Sequence, residues 1–258
     1  MEKKLILEIK GLTKSFGGLI AVDNAEYKIN EREALGIIGP NGAGKTTFFN
    51  LITGLLYPDK GNIIFMRRNI TKFPPYKRVK EKIIRTFQLV SVFNELRVID
   101  NLILSIVRFE KEYKIRSKFF FKNINRINIT EKCFKYLEIM GLENKAYLMT
   151  DELSYGDKRK LEIAIAISLK PVILLLDEPF SGLSDIEIQE VINLIKGMRN
   201  RFSFVIIEHK VSKLLDLIDK LAVMHEGKII INDEPNKVLS NKVIKEIYFG
   251  KEEDLECY

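Results

Sequence analysis

Nine consecutive residues, Gly39-Pro40-Asn41-Gly42-Ala43-Gly44-Lys45-Thr46-Thr47, satisfy the spacing G-x-x-x-x-G-K-[ST]. That spacing suits one task, the wrapping of a polyphosphate. Glycines let successive backbone N–H groups curl into a nest around phosphate oxygens. A helix that begins where the loop ends adds its positive dipole end to the same anion. A lysine in the place of Lys45 reaches the β- and γ-phosphates, and a hydroxyl in the place of Thr46 can ligate Mg2+. The flanks agree: Ala34 to Ile38 reads as a short apolar strand and Thr47 to Leu56 as a helix. At average residue usage, a chance match arises in a chain of this length on the order of once in a hundred cases. The segment implies binding of a nucleoside triphosphate.

Two further segments carry chemistry. Val172 to Leu176 reads as a buried strand that runs into Asp177-Glu178-Pro179. Ligands of open α/β sheets lie at the carboxyl ends of strands. Asp177 is therefore placed to hold Mg2+ through water, and Glu178 to orient and polarise an attacking water. Alone, the pair could be a polar strand end entering a turn at Pro179; beside a phosphate loop, the metal and water roles are favoured. The run LSYGDKRKLEIAIAI, Leu153 to Ile167, opens with Ser154 and Asp157 in the spacing of a capping box. A hydroxyl and the Gly156 N–H at a helix N-terminus also make an anion site. Both readings stand at this point.

The elements that must position these groups follow an α/β pattern. Leu5, Leu7 and Ile9 alternate as in a half-buried strand, and Glu26 to Ile29 is a second candidate. Asp59-Lys60-Gly61 forms a turn into the strand Asn62 to Met66, and Pro74-Pro75 precede a helix through Lys80. Arg97 to Arg108 reads as a helix. Glu110 to Arg126 loses its pattern and reads as a basic surface excursion. A helix with Thr130 as N-cap follows, with Phe134, Leu137 and Met140 on its apolar face and Gly141 past its end. Helices over Asp157 to Leu169 and Asp185 to Arg199 then alternate with strands over Val172 to Leu176 and Ser203 to Ile207, which implies parallel strands with crossover helices.

Composition narrows the setting. The 258 residues are 46% hydrophobic and 30% charged, ordinary for one globular α/β domain with an inserted part. No apolar run reaches the ~20 residues of a membrane helix, and Leu5-Ile6-Leu7 is followed at once by Glu8 and Lys10, unlike a secretory leader. Cys133 and Cys257 are too far apart in sequence to suggest a disulfide framework, so a cytoplasmic chain is expected. The net charge of +7 reads as a lysine-rich solvated surface, and no nucleic-acid partner is expected.

In position and composition, the phosphate loop, the Asp177-Glu178 strand end and the Leu153–Ile167 run together resemble the ATP-binding-cassette family. The resemblance covers nearly the whole chain, residues 5–250, with 251–258 as a tail. It implies a P-loop NTPase of α/β class: a RecA-like core, an antiparallel β subdomain near the N-terminus, and a helical subdomain over roughly 89–169. The cofactors implied are ATP and Mg2+. Gln88, in RTFQ, matches the family's glutamine loop, which touches Mg2+ and faces the membrane partner. His209, in IIEHK, matches the switch histidine that contacts the γ-phosphate, and Phe16 the aromatic that stacks on adenine. Ser154, Tyr155, Gly156 and Asp157 match the signature that faces the ATP of a second, head-to-tail ATPase subunit.

Three residues depart from the family pattern. Tyr155 stands where most members have glycine, Asp157 where glutamine is usual, and Ser184 where an aspartate is usual. An ionised Asp157 can only accept a hydrogen bond, so a ribose-side donor is missing there. Within the family, RTFQ, Val92 to Leu96, the excursion Arg116 to Arg126, Tyr155, Glu208-His209 and the tail Val243 to Gly250 resemble the ATPases of branched-chain amino acid importers. The resemblance implies an ATPase peripheral to the cytoplasmic face of the membrane. Its partners would be permease subunits, a second ATPase subunit and, indirectly, a solute-binding protein. Other solutes, such as urea or an exported lipid, and a soluble role on nucleic acid or ribosomes are the alternatives.

Overall fold

The computed structural model describes residues 4–109 and 126–249. The chain opens with β1 (Leu5–Phe16) and β2 (Leu19–Asn30), then β3 (Ala34–Ile38) and α1 (Lys45–Thr53). It continues through β4 (Lys60–Phe65), β5 (Arg68–Asn69), α2 (Pro75–Lys80) and β6 (Ile83–Arg85). Three helices follow, α3 (Val98–Phe109), α4 (Arg126–Met140) and α5 (Tyr155–Ser168). The second half adds β7 (Ile173–Asp177), α6 (Asp185–Met198), β8 (Ser203–Ile207), α7 (Val211–Leu214), β9 (Lys220–His225), β10 (Lys228–Asp233), α8 (Pro235–Ser240) and α9 (Lys242–Phe249). All of the basic excursion but Arg126, and the tail beyond Phe249, lie outside the described residues.

Two sheets organise the fold. An antiparallel sheet runs β2-β1-β4-β5, and a six-stranded sheet runs β10-β9-β3-β8-β7-β6. From β9 to β6 the larger sheet is parallel; β10 alone is antiparallel, paired with β9. This is the P-loop NTPase architecture expected from the sequence, with the helical region α3–α5 between β6 and β7.

The parallel strands read as continuous apolar runs because both of their faces are buried. Their alternate residues feed two cores. Ala34, Ile38, Leu174, Leu176, Phe204 and Ile206 pack with the helices α3–α6. Leu35, Ile37, Ile173, Leu175, Val205 and Ile207 pack with α1 and the antiparallel sheet.

Several boundaries differ from the sequence reading, each for a local reason. β1 extends to Phe16 although its alternation stops at Ile9, because register shifts between Ile9 and Leu12, with Gly11 at φ +58°, reset the pleat. α1 begins at Lys45, two residues before the expected Thr47, and ends where Gly54 turns left-handed at φ +78°, short of Leu56. Thr130 is no N-cap: α4 already starts at Arg126, so Thr130 lies inside it. Gly141, at φ +66°, does end that helix. Ser154 caps α5 by accepting from the Asp157 N–H at 3.1 Å. The reciprocal half of that capping box is absent, since the Asp157 carboxylate pairs with Lys145 instead. A complete box forms instead at α6, between Ser184 and Glu187.

The phosphate loop sits where backbone meets backbone. Gly44, at φ +97°, has no room for a side chain: a Cβ there would lie 2.1 Å from the Ala21 carbonyl oxygen. Gly42, at φ +80°, faces open space. Gly44→Ala is therefore expected to cost more than about 2 kcal/mol, through clash added to left-handed strain, and Gly42→Ala about 1 kcal/mol. Chemical denaturation of the two variants would check this; equal losses would contradict the packing argument.

Candidate active site

Strand β3 delivers the chain to Gly39, and the loop to Gly44 folds over the start of α1. Lys45 is 6% exposed, and its ammonium donates to the carbonyls of Gly39 (2.6 Å) and Pro40 (2.9 Å). Burial lowers the Lys45 pKa, while the nearby carboxylates of Glu178 and Asp177 pull it back up. Helix α1 carries no acidic residue in its first turn, so no side chain there answers its positive end. Thr46 is exposed at that end, and Ala43 is buried beneath the loop. The loop offers donors, a cation and a hydroxyl to a single anion.

The other groups arrive from neighbouring strands. In the order β3-β8-β7-β6, the carboxyl end of β8 presents Glu208-His209, that of β7 Asp177-Glu178, and that of β6 the segment to Gln88. Glu178 takes a left-handed backbone, φ +45°, its N–H held by the Ile207 carbonyl at 2.9 Å. Such backbone costs on the order of 1–3 kcal/mol and survives where the surroundings over-determine it. The turn brings the Glu178 carboxylate between two partners. Gln88 Nε2 donates to Oε2 at 2.9 Å, and His209 Nε2 lies 3.2 Å from Oε1. A carboxylate only accepts, so His209 meets it with a proton on Nε2. Gln88 and His209, singled out from two separate segments, thus converge on the carboxylate of Glu178, singled out from a third.

Asp177 is 2% exposed and bonded on one side by Arg85, whose Nη2 approaches Oδ2 at 2.6 Å. Behind His209, Glu208 is 3% exposed and accepts from the Phe180 N–H at 2.8 Å and the His209 N–H at 3.1 Å. Desolvation raises its pKa, opposed by those hydrogen bonds.

Two sets of predicted residues stand apart from this cluster. Phe16, at the β1–β2 hairpin, is 46% exposed with the Lys14 ammonium 5.5 Å from its ring centroid. It is a surface ring and not a core one. Ser154 and Tyr155 are exposed and Gly156 buried. Their neighbours are the start of α6 and the loop before it: a Cβ on Gly156 would meet the Glu187 carboxylate, and one on Gly182 the Tyr155 ring. No hydrogen bond or ion pair among the described residues joins Ser154–Asp157 to the phosphate loop of the same chain, and Asp157 is engaged by Lys145.

The sequence reading assigned no role to the buried ions that hold these loops. Arg159, fully buried on α5, donates to the carbonyls of Phe87 (2.8 Å) and Gln88 (2.7 Å) and to Glu162 (2.8 Å). Glu162 accepts from the Phe87 N–H at 3.0 Å. Burial pushes the Glu162 pKa up, against the pull of those partners. A charge spacing of three on a helix was the only available signal, and it reads equally well as a surface pair.

Residues 22–181 match the family model described as ABC transporter. This chain belongs to that family. Among its relatives is the high-affinity branched-chain amino acid transport ATP-binding protein LivG of Salmonella typhimurium, 33% identical over 255 residues, covering 95% of this chain and 98% of LivG. BraF of Pseudomonas aeruginosa, named for the same transport, is 33% identical over 251 residues with the same coverage. LptB of Haemophilus influenzae, of a lipopolysaccharide export system, is 30% identical over 248 residues, covering 96% and 98%. Among solved structures, the ADP conformation of an ATP-binding cassette of an ABC transporter superposes with a TM-score of 0.83 at 33% identity, covering 96% of this chain and 99% of that one. The chain is an ATP-binding, ATP-hydrolysing subunit of an ABC-type transporter.

Two variants test the site. Glu178→Gln should bind ATP yet hydrolyse it on the order of 10²–10⁴ times more slowly, the range of a lost general base. ATP should then drive it into a dimer on size-exclusion chromatography, whereas wild type with ADP should elute as a monomer. Phe16→Ala should weaken ATP by ~1–3 kcal/mol with little change in turnover at saturation, because stacking is equal in ground and transition states. An unchanged nucleotide Kd would leave Phe16 without a role in the site.

Proposed function

We propose that this ATPase energises the uptake of branched-chain, hydrophobic amino acids through a membrane permease. The observation that carries the reading is the 33% identity to LivG and BraF across 95% of the chain. The likeness to LptB, at 30%, supports export of a lipid as the second reading.

In the proposed reaction the phosphate loop binds the triphosphate. Lys45 turns its ammonium from the loop carbonyls to the β- and γ-phosphates. Glu178 accepts a hydrogen bond from the attacking water and aims it in line with the γ-phosphate. His209 donates to the γ-phosphate as charge builds there. Phe16 stacks on the adenine. The residues present fit Mg2+: a hydroxyl (Thr46), a carboxylate (Asp177) and an amide oxygen (Gln88) are hard oxygen donors. Among the described residues no group of three or more His, Cys, Asp or Glu side chains could hold a metal alone. That suits an ion that shares its shell with phosphates and water. Bound there, Mg2+ would neutralise charge on the transferring phosphoryl group.

Ser154, Tyr155, Gly156 and Asp157, with no hydrogen bond or ion pair among the described residues to the chain's own phosphate loop, would serve the ATP of a second ATPase subunit paired head to tail. No helix among the described residues is long and apolar enough to cross a membrane. The ATPase would act from the cytoplasmic face, peripheral to the permease. A groove of about 240 Å³ beside the glutamine loop, lined by Pro75, Val79, Phe87, Phe109, Ile165 and Leu169 among others, offers an apolar seat for a permease segment. Phe93 and Leu89, 61% and 80% exposed, extend the apolar surface on the same loop.

Reconstitution with the cognate permease and its solute-binding protein tests the solute. Leucine- or isoleucine-loaded binding protein should stimulate ATP hydrolysis several-fold over the unloaded protein. Stimulation by urea or an exported lipid, with none by these amino acids, would overturn the solute assignment and leave the ATPase reading intact.

A further inference from the structure

Arg85 ends β6 three residues before Gln88, and its side chain is 6% exposed. Its two terminal nitrogens serve different elements. Nη2 binds Asp177 Oδ2 at 2.6 Å, and Nη1 binds Asn50 Oδ1 of α1 at 2.5 Å. The guanidinium lies 5.5 Å from the Phe49 ring and 5.4 Å from the Phe87 ring. Its Nε is buried without a hydrogen-bond partner. The fork thus spends its geometry on the two terminal contacts at the expense of the third.

We propose that Arg85 is a positioning residue for Asp177, holding its carboxylate in the single orientation from which it serves the metal of a bound nucleotide. This rests on the reading of Asp177 as the metal carboxylate. Three constraints make the hold rigid: the Asn50 anchor on the phosphate-loop helix, the ring of Phe49 behind it, and the ring of Phe87 on the groove side. Asp177 Oδ2 is spent on the guanidinium, which leaves Oδ1 for the metal side. A carboxylate that acts through water tolerates little rotation, because the water transmits its direction to an octahedral ion. Groups that orient metal ligands from behind typically contribute 10–100-fold to metal affinity. Lysine cannot replace this arrangement, since a point charge reaches Asp177 or Asn50 but has no planar fork to span both.

The test uses the isolated chain with a non-hydrolysable ATP analogue bound. Mn2+, as a spectroscopic substitute for Mg2+, is titrated by electron paramagnetic resonance, and analogue affinity is measured separately in EDTA. Arg85→Lys should raise the Mn2+ concentration for half-saturation by about 10-fold or more, with analogue affinity in EDTA changed less than about twofold. Asn50→Ala, which keeps the buried ion pair, should shift Mn2+ in the same direction and by less; it decides the matter if Arg85→Lys fails to fold. Asp177→Asn is the reference. If it weakens Mn2+ while Arg85→Lys and Asn50→Ala leave Mn2+ unchanged, the positioning role is overturned and the metal reading stands. If Asp177→Asn itself leaves Mn2+ unchanged, both fall. An equal loss of analogue affinity in EDTA and in Mn2+ would mark Arg85 as a general support of the fold and overturn the proposal.

Discussion

Parallel pairing of strands buried on both faces is the constraint from which the rest of this molecule follows. β3, β8 and β7 are wholly buried, each with its two residue sets committed to opposite cores. Nothing polar can sit along such strands without a partner. Functional groups are therefore expelled to the strand ends, and parallel register puts all of those ends on one edge. Asp177 pairs with Ile207 across β7–β8, so Glu178 and Glu208-His209 must emerge side by side. Ile37 pairs with Ile207 across β3–β8, which sets the phosphate loop next to them. The site is a consequence of register before it is a matter of side-chain choice.

Electrostatics at that edge is a balance of buried charges. Lys45, Asp177 and Glu208 are each at most 6% exposed. Burial drives Lys45 and Glu208 toward neutrality, lowering the pKa of the one and raising that of the other. Asp177 is held by an arginine, Glu208 by two backbone N–H groups, and Lys45 by two carbonyls and the field of two carboxylates. The partners are of different kinds for a reason. Hydrogen bonds from fixed backbone keep Glu208 in place under His209, whereas the Lys45 ammonium is held by neutral carbonyls, weaker partners than charged oxygens.

Much of this was legible in the sequence, and what was not has a common cause. The phosphate loop, the strand to Asp177 and the strand end at His209 are local patterns, whereas Gln88 was legible only through the resemblance of its RTFQ segment to the family. The alternation of β1 could be read only to Ile9, because a bulge erases the period of two. β6, three residues long, has no pattern to read, and α4 hid its start behind a plausible cap at Thr130. The buried guanidiniums of Arg85 and Arg159 were illegible as such. An arginine in sequence looks like a solvated charge, and only tertiary packing shows that its donors are taken by Asp177 and Asn50 or by the carbonyls of Phe87 and Gln88.

Those two arginines divide the glutamine loop between two bodies. Arg159 and Glu162 fasten the main chain at Phe87 and Gln88 to α5, through both carbonyls and the Phe87 N–H. The Gln88 side chain, by contrast, is bonded to Glu178 at the end of β7, and the Phe87 ring packs toward Arg85 and so toward Asp177. Main chain and side chain of the same residue thus belong to different parts of the fold. Three charge-assisted contacts join this main chain to α5, so a displacement of α5 relative to β7 would carry the Gln88 backbone with it and bear on the 2.9 Å bond between Gln88 and Glu178. The apolar groove beside this joint is lined from both bodies, by Ile165 of α5 and Leu169 just past its end, and by Phe87 and Arg85. Whatever fills it touches both the helical region and the loop that carries Gln88 to Glu178, and so bears on the joint between them.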